Sequence, residues 1–78
     1  MNKARRKKLE KIISTLEEMR DELETVKDDE REAFDNLPES IQYSERGETM
    51  EETADGLDSC YDELDSVICE LQEVLDNC

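Results

Sequence analysis

The chain has 78 residues, a formal charge of −14 from 24 Asp plus Glu against 10 Lys plus Arg, and 35% apolar residues. A chain this short buries little surface, and one Phe, two Tyr and no Trp leave little to fill a core, so self-association is the expected remedy. The absence of His excludes imidazole acid–base chemistry and His-ligated metal sites, and no apolar run approaches the roughly 18 residues of a membrane span.

Charge is graded along the chain. Residues 1–8 hold Lys3, Arg5, Arg6, Lys7 and Lys8 and no acid, residues 9–46 hold 13 acids and 5 bases, and residues 47–78 hold 11 acids and no base. Apolar residues recur at Leu9, Ile12, Leu16, Met19, Leu23, Val26, Ala33 and Leu37, which is a heptad seam. Ile13 and Phe34 widen it on one flank. The pattern predicts a first helix over about residues 3–36, ended by Pro38, which disfavours helix in the residue before it.

Residues 37–46 form the predicted connection and carry the only Pro. Asn36 is placed to cap a short helical turn and Ser44 to cap the second long helix, so an ordered linker is expected. The second helix, predicted over about residues 47–77, has three apolar lines. These are Met50, Leu57, Leu64, Leu71 and Cys78; Thr53, Cys60, Val67 and Val74; and Ala54, Tyr61, Ile68 and Leu75. A stripe this wide fits packing against two neighbours. The predicted fold is all-α: an antiparallel two-helix hairpin in a single domain that oligomerises, as a dimeric four-helix bundle.

Cys60, Cys69 and Cys78 stand nine residues apart, about 180° and 13 Å along a helix, and cannot bond one another within the chain. An odd count without a secretory signal is expected of a reducing cytoplasm. Gly56 inside the second helix, at a cost of about 1 kcal/mol relative to Ala, either allows a close backbone approach or is simply tolerated. Lys27 and Arg31 have acids within helical reach and read as surface pairs, and Tyr61 reads as core edge.

In a hairpin the basic start of the first helix lies beside Glu70, Glu73 and Asp76, which gives those bases a structural use. A functional use appears if two hairpins dock so that the Arg5 and Arg6 end of one meets the linker of the other. Arg5, Arg6 and Arg46 then supply phosphate anchors, Tyr43 a stacking ring, and Asn36, Ser40, Gln42 and Ser44 polar readers. The acid string Asp28, Asp29, Glu30, Glu32 and Asp35 lacks calcium-loop spacing, and no nucleophile stands with a base in a cleft, so neither metal, cofactor nor catalysis is expected. The charge disfavours direct DNA or RNA binding. It also raises a competing reading, an acidic surface that imitates a nucleic acid and occupies a basic host protein. A coiled-coil element without a ligand is the third.

The run AFDNLPESIQYSERGETMEE at residues 33–52, between an Arg/Lys-rich helical start and the acidic ELDSVICELQEVL helix, resembles small uncharacterised acidic helical-hairpin proteins of bacteriophages and bacterial mobile elements. The resemblance spans nearly the whole chain and is carried mainly by NLPES and SERGE. It implies an accessory protein in the host cytoplasm that antagonises defence, by sequestering a nucleotide immune signal or blocking an effector.

Overall fold

A computed structural model describes residues 1–77 as three helices: α1 (Lys3–Asp35), α2 (Glu39–Gln42) and α3 (Glu45–Asp76). Cross-helix contacts climb one helix as they descend the other, from Arg31 with Asp55 to Arg20 with Asp65, so α1 and α3 run antiparallel. The result is a rod with Cα extents of 58 × 15 × 13 Å. Among the described residues no helix is long and apolar enough to cross a membrane.

Local chemistry sets the helix ends. The Asn2 side chain accepts from the Arg5 N–H at 2.9 Å and opens α1. At the other end the Asn36 N–H donates to the Glu32 carbonyl at 3.0 Å, and the chain leaves the helix before Pro38. Asn36 therefore closes α1 and does not cap the next turn; Pro38 takes that place, with no side-chain cap bond. Ser44 caps α3 as expected, accepting from the Gly47 N–H at 3.4 Å.

Gly47 is the glycine that a close approach requires. It is buried, and a Cβ there would collide with the backbone carbonyls of Ile41 and Gln42. Its missing side chain lets α2 rest on the first turn of α3. At Gly56 a Cβ would meet nothing within 4 Å, so of its two readings the structure supports simple tolerance and not a close approach.

The seam between α1 and α3 differs from the one the heptads suggest. On α1 the inward residues are Leu9, Ile13, Leu16, Arg20, Leu23, Lys27 and Phe34; on α3 they are Met50, Leu57, Leu64 and Leu71 together with Ala54, Tyr61, Ile68 and Leu75. The second apolar line of α1 faces outward: Ile12, Met19 and Val26 are 43–54% exposed, and Ala33 is exposed with them. Thr53, Cys60, Val67 and Val74 of α3 are exposed too. Relative to a seam on the leading apolar pair, each helix is turned by about 50°, half a residue step. On the opposite edge of the seam Arg20, Lys27 and Arg31 reach α3 carboxylates. Among the described residues the buried apolar side chains are Ile13, Ala54 and Ile68, so one chain holds a thin core.

Candidate functional site

The ten cations divide into two sets. Three of them build a ladder across the hairpin. Arg20 donates to Asp65 at 2.9 Å, Arg31 donates to Asp55 at 2.8 Å and Asp58 at 3.0 Å, and Lys27 stands 3.7 Å from Asp58. The Lys27 ammonium also lies 4.9 Å from the centroid of the half-buried Tyr61 ring. Hydrogen bonds to these aspartates hold both arginines above the ordinary guanidinium value. The expectation of surface pairs within one helix is thus corrected: Arg31 pairs across the seam, and Lys27 does so while keeping Asp28 at 3.7 Å. An acid on the facing helix gives a pair without bending the side chain along its own helix.

The other seven cations make no ion pair or side-chain hydrogen bond among the described residues. Six are Lys3, Arg5, Arg6, Lys7, Lys8 and Lys11; the seventh is Arg46. Their positions match the two ends at which anion anchors are expected. The structural use foreseen for the basic start is absent: among the described residues no ion pair joins it to Glu70, Glu73 or Asp76.

The linker residues share one end of the rod but not one role. Tyr43 is 78% exposed, and Asn36, Ser40 and Arg46 are exposed beside it in sequence on the C-cap of α1, on α2 and on the first turn of α3. Gln42 is half-buried, and its amide donates to the carbonyls of Phe34 and Asp35 at 3.2 and 3.4 Å. It helps close the C-terminus of α1, adding to the Leu37 N–H bond on the Phe34 carbonyl and reaching the Asp35 carbonyl. Ser44 donates to the Ile41 carbonyl while capping α3. These two expected readers are occupied by local structure, which leaves Asn36, Ser40, Tyr43 and Arg46.

Arg5 and Arg6 sit at the opposite end of the rod, Arg5 exposed and Arg6 half-buried. Within one chain they do not meet the linker. A groove of about 370 Å³ near them is lined by Glu10, Ile13, Ser14, Glu17, Gln72, Leu75 and Asp76. Three carboxylates make it a poor seat for an anion. Sequence reading missed both this groove and the ladder, because neither has a signature along one helix. Cys60 and Cys69 are free and exposed; Cys78 lies outside the described residues. No family model, curated protein or solved structure matches the chain. What the geometry defines is an all-helical hairpin with unpaired cations at its two ends.

Proposed function

We propose that the chain is a non-enzymatic, homo-oligomeric helical protein that captures a small anionic, nucleotide-derived ligand with Arg46, Tyr43, Asn36 and Ser40 of one copy and Arg5 and Arg6 of another. The resemblance to phage and mobile-element proteins supports a counter-defence role for it, sequestering an immune signal in the host cytoplasm. The observation that carries the reading is the division of the cations. In a molecule of charge −14, an arginine left without a carboxylate partner at an ordered turn is free for phosphate, and the neighbouring exposed Tyr43 offers a ring for stacking.

The test is native mass spectrometry of the reduced protein with linear and cyclic nucleotides and cyclic ADP-ribose-type signals. An oligomer retaining an integer number of one nucleotide is expected. Arg46→Ala should weaken that binding by about 10- to 100-fold, the worth of a charge-assisted hydrogen bond, and shift free-protein stability by no more than about 0.5 kcal/mol. An oligomer emerging empty from every mixture removes the reading.

A second reading, an acidic module that occupies a basic host protein, is favoured by the unpaired exposed carboxylates of α3, among them Glu51, Glu52, Glu63 and Glu70. It is tested by reversing those four to Lys. Asp58 and Asp65 are unsuitable because they hold the ladder. Mimicry predicts loss of partner binding and steep weakening with salt; nucleotide capture at the linker survives the same change.

A further inference from the structure

We propose that the outward apolar line of the hairpin is a dimer face, and that two copies dock on it head to tail, the linker of each against the chain ends of the other. The inference takes up the homo-oligomer of the proposed function and depends on none of its ligand chemistry.

The single hairpin exposes more surface than its mass requires. A compact 9.1 kDa monomer is expected to expose about 4,900 Å², whereas this chain exposes 5787 Å². Its radius of gyration is 17.6 Å, against about 11.5 Å for a compact chain of 78 residues. Extending the register of the Arg20–Asp65 and Arg31–Asp55 pairs sets the exposed residues of the two helices level in four rungs along one face: Ile12 with Val74, Met19 with Val67, Val26 with Cys60, and Ala33 with Thr53. The ion-pair ladder occupies the opposite face and marks the outside of a bundle.

Side-chain volume selects the direction. The rungs fall from large at the chain ends to small at the linker. Head to tail, a two-fold axis passes between Met19 and Val26, so Ile12 meets the partner's Ala33 and Met19 meets the partner's Val26. On α3, Val74 meets the partner's Thr53 and Val67 meets the partner's Cys60. Every layer then combines large with small side chains, as a core of even density needs. With the linkers together, one end would crowd two Ile with two Val, and the other would leave two Ala and two Thr facing a void.

Charge selects the same direction. Residues 28–52, around the linker, sum to −8, while residues 1–11 and 70–77 at the other end sum to +2. Docking with linkers together sets −8 against −8; head-to-tail docking sets −8 against +2 at both ends. The same arrangement brings Arg5 level with the partner's linker, which one chain cannot do.

The experiment is double electron–electron resonance on a nitroxide-labelled Glu39→Cys variant carrying Cys60→Ser, Cys69→Ser and Cys78→Ser, with sedimentation equilibrium on the same sample. A dimer with label separation near the 58 Å length of the rod supports the proposal. A separation well under half that length, a monomer, or a larger assembly overturns it. Met19→Glu should weaken the dimer at least tenfold, and if that variant fails to fold, the label distance still decides. A head-to-tail dimer that retains no nucleotide upholds this inference and sinks the ligand reading alone.

Discussion

Gly47 and Gly56 are the same residue type in the same helix with opposite consequences. Gly47 faces the Ile41 and Gln42 carbonyls with no room for a methyl group, so Gly47→Ala must push α2 off α3. The expected loss is about 1–3 kcal/mol, the usual range for overpacking, seen as a lower urea midpoint. Gly56 is exposed with open space around it and lies within the helix. Gly56→Ala removes backbone freedom from the unfolded chain and should stabilise by about 0.5–1 kcal/mol. Equal effects from the two substitutions would contradict the packing at the α2–α3 corner. Ser44 and Gln42 are decided by the same kind of contact. Both side chains are bonded to backbone ends, so Ser44→Ala should lower stability by about 1 kcal/mol while nucleotide retention is unchanged. A variant of unaltered stability that lost ligand would return Ser44 to the site.

On the scale of the helices, the antiparallel register is held by apolar contact on one edge and by the ladder on the other. The ladder groups are partly exposed, so their worth is modest. A double-mutant cycle on Arg31 and Asp58 should give a small favourable coupling that shrinks with added salt. A coupling of zero at low salt would mean that the apolar seam alone sets the register. The arginines add no pH dependence near neutrality. Their pKa is raised on folding, so their stabilisation is complete at every pH below the ordinary guanidinium value and is lost only as pH climbs through the raised one. Helix positions and ends were legible in the sequence because heptad spacing, Pro38 and Ser44 act locally. The seam was not. Ile12, Met19 and Val26 are as apolar as Ile13 and Phe34, and an apolar line says only that it is covered, not by which helix. Arg20 and Lys27 lie on the covered side, and their partners Asp65 and Asp58 are 45 and 31 residues away along the chain. Of the candidate site, the free Arg46 and exposed Tyr43 were legible from their place in the turn. The use of Gln42 to close α1 depends on a chain reversal that no local pattern specifies.

For the molecule as a whole, two electrostatic effects oppose each other, and salt separates them. The ladder attracts across the seam and is weakened by screening. The net charge of −14 repels itself in the folded rod, and more so in a dimer of −28, twice that value; screening relieves it. The ladder holds only three cations, on partly exposed carboxylates whose pairing is weak and readily screened. The repulsion involves many like charges spaced within the Debye length, which is about 10 Å at 0.1 M salt and 3 Å at 1 M. Repulsion should therefore win, and the melting temperature should rise with NaCl over that range. A gain of about 1 kcal/mol corresponds to about 4–8 °C for a domain of this size. The rise should be larger for the wild-type chain than for Met19→Glu, because only the dimer gathers two such charges along one face. The proposed dimer further predicts a melting temperature that increases with protein concentration, because mass action would couple its assembly to folding. A melting temperature that falls with salt would show instead that the ladder dominates, and one independent of protein concentration would show that the hairpin is stable on its own core.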